Sequence, residues 1–195
     1  MSLTVRTLAG EELRAALGDL ARLRIAVFAA YPYLYHGSEA YERDYLAEFT
    51  AAPDAVLIAA FDGARIVGAA TASPLAGQDD YIREPFERAG IDVRGVFYFG
   101  ESVLLPDYRG QRIGHAFFDQ REAAARAWGA SHASFCAVVR PADHPARPAG
   151  YTPLDAFWTG RGYAPVAGLT GMFSWAEHGE AAETPKPMQY WMRAL

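Results

Sequence analysis

Apolar and polar positions along the chain follow two spacings, and each change of spacing marks an element. A short strand opens around Val5. From Glu11 the apolar residues Leu13, Ala16, Leu17, Leu20, Leu23 and Val27 recur at three- and four-residue intervals, the period of one helix face, with Gly18 placed to split it. An aromatic loop, Tyr31-Pro32-Tyr33-Leu34-Tyr35-His36-Gly37, separates this from a second helix. Ser38 suits that helix as N-cap, and Tyr41, Tyr45, Leu46 and Phe49 are expected on one face. The continuous apolar run Ala55 to Phe61 reads as a buried strand. Asp62-Gly63 then signals a two-residue type I′ turn, and Ile66 to Ala72 returns as the partner strand. Residues 74–94 carry Pro, Gly, Asp and Arg with one short helical pattern, a loop region.

Val96 to Leu105 is a third long strand, which Pro106 ends because proline cannot donate to a ladder. A helix follows from near Ile113, with Phe117, Ala124, Ala125 and Trp128 on one face and Gly129 as its stop. Ser134 to Val139 is again strand-like. After a Pro- and His-rich loop from Arg140 to Gly150, Thr152 as N-cap, Pro153 at the first helical position and Asp155 predict a helix that Gly162 stops. Leu169 to Trp175 and Met188 to Met192 read as a final hairpin. Hairpins mixed with strand–helix–strand units predict an α/β protein with a mixed sheet.

Composition narrows the class. A length of 195 residues fits one domain, since domains commonly span roughly 100–200 residues. With 51% hydrophobic and 21% charged residues the chain is too apolar for disorder. A net charge of −5 makes nucleic acid and anionic membranes poor partners, because both call for a basic face. Cys136 is the single cysteine and cannot form an internal disulfide, which fits a reducing compartment. The first residues, MSLTVRTLAGEEL, lack an apolar signal core, and no apolar run approaches the ~20 residues that span a bilayer. A soluble, cytoplasmic protein is expected. The histidines show no metal-ligand spacing, so no metal is expected. Aromatics reach 13%, and their cluster in the Tyr31 to His36 loop is less readily ascribed to core packing than those in the strands.

The stretch that carries chemistry runs from Glu101 to Ala116: strand, tight loop, helix. A helix N-terminus offers unpaired N–H groups and the positive end of the helix dipole, together an anion site suited to a pyrophosphate. Arg109 and Arg112 add cationic donors there, and Gly110 and Gly114 let backbone approach a ligand closely. No Gly-Lys-Ser/Thr follows, so this is not a Walker loop, and Gly-x-Gly-x-x-Gly is absent, so it is not a Rossmann fingerprint. These residues point to a phosphate-bearing ligand.

Here the sequence resembles the GCN5-related N-acetyltransferase family. That family places Arg/Gln-x-x-Gly-x-Gly/Ala after a strand and a proline. Arg109-Gly-Gln-Arg112-Ile-Gly114 fits this pattern with Arg112 in place of the middle glycine, and Gln111-Arg-Ile-Gly114-His-Ala116 fits every fixed position. Ala156-Phe157-Trp158-Thr-Gly-Arg-Gly162-Tyr163 resembles the family's later helix, and Asp62-Gly63 followed by Ile66-Val67-Gly68 resembles its hairpin.

The resemblance implies one acyl-CoA N-acyltransferase-like domain over 1–195. Its sheet would be mixed and mostly antiparallel, flanked by helices, with splayed strands at the acyl-CoA site. It implies acetyl-CoA or another acyl-CoA as donor, no metal, and direct attack by a primary amine of a small molecule or a peptide N-terminus. A homodimer is a possible assembly. The pyrophosphate falls to Arg109, Gly110, Gln111, Arg112, Ile113, Gly114, His115 and Ala116. The pantetheine arm falls to the backbone around Ser102, Val103 and Leu104, with Val103 or Leu104 as donor to the developing oxyanion.

The attacking amine must lose a proton. Glu101, a carboxylate inside an apolar strand, is the candidate base, acting through water. The family's usual tyrosine acid is replaced at the matching position by Trp158, which leaves Tyr151 as the substitute and keeps a non-catalytic acyl-CoA sensor or carrier as the alternative function. Tyr31, Tyr33 and Tyr35 are candidates for the acceptor side. His144, beside Asp143, is open to three readings: catalysis, acceptor wall or turn structure.

Overall fold

The structure, a computed structural model, describes residues 3–195. Seven strands form one sheet in the order β1-β2-β3-β4-β5-β7-β6. The strands are β1 (Leu3–Leu8), β2 (Val56–Asp62), β3 (Arg65–Pro74), β4 (Val96–Leu104), β5 (His132–Val138), β6 (Ala164–Trp175) and β7 (Thr184–Ala194). The helices are α1 (Gly10–Phe28), α2 (Glu39–Ala51), α3 (Asp80–Arg88), α4 (Ile113–Trp128) and α5 (Asp155–Gly160). All neighbours are antiparallel except β4 and β5. This is the mixed, mostly antiparallel α/β sheet expected.

The two faces of the sheet carry different helices. Phe97, Phe99, Phe118, Phe135 and Tyr163 pack with α4 and α5 on one side. Ile58, Val67, Ile113 and Phe117 extend that layer. Leu20, Leu23, Leu46, Leu57 and Val103 pack with α1 and α2 on the other, where α3 covers Tyr98, Met188 and Tyr190 through Ile82 and Phe86.

Several boundaries differ from the sequence reading, each for a local reason. Gly18 does not split α1, which runs unbroken, because burial of Ala16, Leu20, Ala21 and Leu23 outweighs the roughly 1 kcal/mol cost of one helical glycine. Tyr41 points outward at 59% exposure, and the buried place on α2 goes to Glu42 instead. Ser38 does cap that helix, accepting from the Tyr41 N–H at 3.4 Å. The β2–β3 turn centres on Gly63-Ala64, between the paired residues Asp62 and Arg65, and only Gly63 has positive φ, 60°. That is the glycine-first pattern of a type II′ turn rather than type I′. Helix α5 starts later than Thr152 predicts: Leu154 is its N-cap and no side chain caps it. β6 begins at Ala164 rather than Leu169, with a register shift between Pro165 and Thr170 that interrupts the pattern read from sequence.

Two irregularities of β4 set the geometry around Glu101. Only Val96, Phe97 and Tyr98 pair with β5, opposite His132, Ala133 and Ser134; beyond them the strands part. In addition, Gly100 and Glu101 together face Thr71, between the pairs Phe99–Ala72 and Ser102–Ala70. This β-bulge reverses the alternation of the strand. Phe97 and Phe99 face α4, whereas Glu101 and Val103 face α1 and α2.

Candidate active site

The divergence of β4 from β5 opens a V toward the C-terminal ends of both strands. Leu105 N–H donates to Val67 O at 3.0 Å, so by the two-residue alternation of an antiparallel ladder Val103 also turns its N–H and C=O to β3. Ser102 and Leu104 therefore present their backbone groups to the open side. Of the two oxyanion donors expected from sequence, only Leu104 has its N–H there; Ser102 N–H joins it.

At the mouth of the V, β4 leads through Pro106–Tyr108 into the loop before α4. Among the described residues the N–H groups of Gly110, Gln111, Arg112, Ile113, Gly114 and His115 donate to no backbone carbonyl and no side chain; the next, Ala116 N–H, returns to Arg112 O at 3.1 Å. Gly110 (φ 76°) and Arg112 (φ 64°) are both left-handed, which curls the loop so that its amides precede the helix. Arg112 thus occupies the conformation that the family's middle glycine would adopt most readily. Arg109 and Arg112 are exposed and form no ion pair among the described residues. Free amides, two free cations and the positive end of α4 make a site that fits a pyrophosphate. His115 instead turns its ring against Phe157, centroids 5.0 Å apart, with Nδ1 3.2 Å from the Arg161 guanidinium.

Glu101 lies on the α1/α2 side of the V, with its side chain 10% exposed. Its partners were not legible in the sequence. Arg24 of α1 lies between Glu101 and Glu42. It hydrogen-bonds Glu42 through Nε and forms an ion pair with Glu101 through Nη1. Tyr45 donates to Glu101 at 3.3 Å and Tyr35 to Glu42 at 2.6 Å. Burial works against the Arg24 charge, but Glu101, then Tyr45 and Glu42, outweigh it and raise the guanidinium above its ordinary pKa. Burial, with Glu101 beside it, likewise holds the Tyr45 phenol protonated. A helical pattern with a charged residue at a buried position, such as Glu42 between Ser38 and Leu46, was the available signal.

The three tyrosines of the first loop separate. Tyr31 packs edge-on against Tyr151 (4.7 Å) and near His144 (5.6 Å), which joins one acceptor candidate to the candidate acid. Tyr33 packs against Phe28 and Trp175. Its phenol is raised by burial and then by Cys136, Tyr151 and Glu101, with Arg140 pulling back. Tyr35 is committed to Glu42. The loop is clamped to its neighbours: Arg140 donates to Pro32 O (2.7 Å), Tyr33 O (3.3 Å) and Glu177 (2.5 Å), and Trp175 Nε1 to Tyr33 O (2.9 Å).

Tyr151 stays protonated, raised by burial and Tyr31 against the pull of Arg147. His144 accepts from Ala146 N–H at 3.2 Å, a turn contact. Trp158, partly buried, packs against Phe135 and Trp191 at the edge of the core. Cys136 is buried against Tyr98, and burial pushes its thiol up to about 12. Among the described residues no group of three or more His, Cys, Asp or Glu is placed to hold a metal ion, and no helix is long and apolar enough to cross a membrane.

A V-shaped strand edge that opens onto a phosphate-type helix N-terminus defines the class to which comparison with known proteins also leads. The Acetyltransferase (GNAT) family model matches residues 21–149. Solved structures share the fold at low identity. yncA of Salmonella typhimurium, solved with its cofactor acetyl-CoA, is 10% identical with a TM-score of 0.65, covering 100% of this chain and 95% of that one. A ribosomal-protein-alanine N-acetyltransferase of Brucella melitensis is 12% identical with a TM-score of 0.65, covering 98% and 99%. A GCN5-related N-acetyltransferase of Kribbella flavida is 16% identical with a TM-score of 0.59, covering 99% and 98%. No curated protein matches the chain. The chain belongs to the GNAT acetyltransferase family.

Proposed function

We propose that the chain is an acetyl-CoA-dependent N-acetyltransferase that passes the acetyl group to a primary amine, of a small molecule or a peptide N-terminus, while both substrates are bound. The observation that carries this reading is the run of undonated amides from Gly110 to His115 at the mouth of the β4–β5 V. Bound acetyl-CoA supplies a thioester whose carbonyl accepts the amine.

Each part of the site has a role in this reading. The amides of Gly110 to His115, with Arg109 and Arg112, hold the pyrophosphate. The backbone of Ser102 and Leu104 receives the pantetheine arm along the open edge, and one of their N–H groups faces the thioester oxygen, where negative charge develops. Val103 supports this edge from the core. Glu101 takes the amine proton through a water molecule. Tyr151 returns a proton to the leaving thiolate, and the loop of Tyr31, Tyr33 and Tyr35 lines the acceptor side, with Tyr31 nearest Tyr151.

One observation favours the non-catalytic alternative, an acyl-CoA sensor or carrier: Glu101 is already engaged by Arg24 and Tyr45. Thiol release from acetyl-CoA over a panel of primary amines separates the two. Turnover on at least one amine is expected; tight acetyl-CoA binding without turnover on any amine would establish the sensor.

A further inference from the structure

We infer that Arg121 is a positioning residue of this site: from α4 it fixes the β4 bulge and polarises the Ser102 N–H that faces the open V. The inference rests on the proposed acyl-CoA function for its consequence, but its observations are independent of the phosphate loop.

Arg121 is among the largest fully buried side chains of the protein, 2% exposed, and it has no carboxylate partner among the described residues. A buried guanidinium without a direct ion pair is costly, so its surroundings must offset the cost. Two aromatic rings do part of this, Phe99 at 4.5 Å and Phe118 at 4.7 Å from the guanidinium carbon. Carbonyl oxygens add to this, and Tyr163, Glu101 and Glu122 favour the charge at longer range. Nε donates to Phe117 O at 3.3 Å, and Nη1 reaches both Thr71 O (3.5 Å) and Glu101 O (3.4 Å). Burial draws its pKa down to about 10, so it remains charged at neutral pH.

The two carbonyls reached by Nη1 lie on opposite strands at the bulge, where one residue of β3 faces two of β4 and the ladder is interrupted. The guanidinium thus ties the two strands together across the bulge. Glu101 C=O and Ser102 N–H belong to one peptide unit. Charge placed on that oxygen draws electron density through the amide resonance and makes Ser102 N–H a stronger donor. By the strand's alternation this N–H points into the V. Thr71 Oγ1 holds the neighbouring Glu101 N–H at 3.1 Å, which completes the fixation of the bulge.

The test compares wild type, Arg121→Gln and Arg121→Lys with acetyl-CoA labelled with ¹³C at the thioester carbonyl. Calorimetry reads binding, difference infrared spectroscopy reads the carbonyl band of the bound donor, and thiol release reads turnover. Expected are wild-type affinity in both variants, a carbonyl band less shifted to low wavenumber in Arg121→Gln, and a kcat lower by roughly tenfold at unchanged KM for acetyl-CoA, less than the 10²–10³-fold of losing a whole donor. Arg121→Lys, which keeps the charge, should recover part of both effects. If Arg121→Gln does not fold, the band of Arg121→Lys decides, expected between wild type and free acetyl-CoA. A variant with wild-type band and kcat overturns the inference, as does a loss confined to melting temperature. Failure of the wild type to bind acetyl-CoA overturns the proposed function, whereas binding with an unshifted carbonyl band overturns this inference alone.

Discussion

Arg112 holds a left-handed backbone, φ 64° and ψ 5°, at the N-cap of α4. A residue with a Cβ loses roughly 1–2 kcal/mol there relative to the right-handed region. Glycine avoids that penalty but brings extra freedom to the unfolded chain, which costs about 0.4–1 kcal/mol. Taking the middle of each range, Arg112→Gly should therefore exceed Arg112→Ala in stability by about 0.8 kcal/mol. For a chain of this size that corresponds to roughly 1–4 °C in Tm. Arg112→Ala is the right control because it removes the cation while keeping the strain. Urea unfolding of both variants with a shared m-value gives the comparison directly. Both variants lose one cation beside the proposed pyrophosphate, so both should bind acetyl-CoA more weakly, with a smaller loss at high salt. A glycine variant no more stable than the alanine variant would refute the idea that this loop stores backbone strain.

Glu101→Gln should lower turnover most at neutral pH while acetyl-CoA affinity, read by calorimetry, stays at the wild-type level; unchanged turnover removes Glu101 as base. Arg24→Met leaves Glu42 and Glu101 buried without their guanidinium and should cost about 3–5 kcal/mol in urea unfolding, partly restored by adding Glu42→Gln; a cost below about 1 kcal/mol would show that the pair is solvated. Burial, against the pull of the Tyr98 hydrogen bond, pushes the Cys136 thiol from an ordinary value of 9.0 up to about 12. The folded state therefore keeps a proton that the unfolded chain releases between these values, and stability falls as pH rises through that window. Denaturation midpoints measured across it should fall less steeply in Cys136→Ala, and identical slopes would contradict the assignment.

How much of this was legible in the sequence depended on whether the determinants were local. The α4 site was legible because strand, proline, glycine and helix start follow one another within a single stretch. Ser38 showed for the same reason. The bulge at Gly100-Glu101 was not, since it exists only in the register between β4 and β3. Nor was the Arg24–Glu42–Glu101 cluster, whose members come from three elements, or the end of pairing after Tyr98. Thr152 misled because a cap signal is weak against the packing of Phe157 and Trp158, which sets where α5 begins. The aromatic loop divided along the same line. Tyr33 and Tyr35 are held by distant residues, Trp175 and Glu42, while Tyr31 meets Tyr151 and His144 from the loop before α5.

The central claim is that a phosphate-bearing acyl donor sits at the N-terminus of α4. Gly114→Glu tests it most directly, because a Cβ at Gly114 meets only Phe157, at an ordinary 3.6 Å, so the fold should tolerate the change while a carboxylate enters the site. Calorimetric titration with acetyl-CoA should show binding to the wild type and none to a Gly114→Glu variant of unaltered circular dichroism. Equal affinity in the two proteins would contradict the claim.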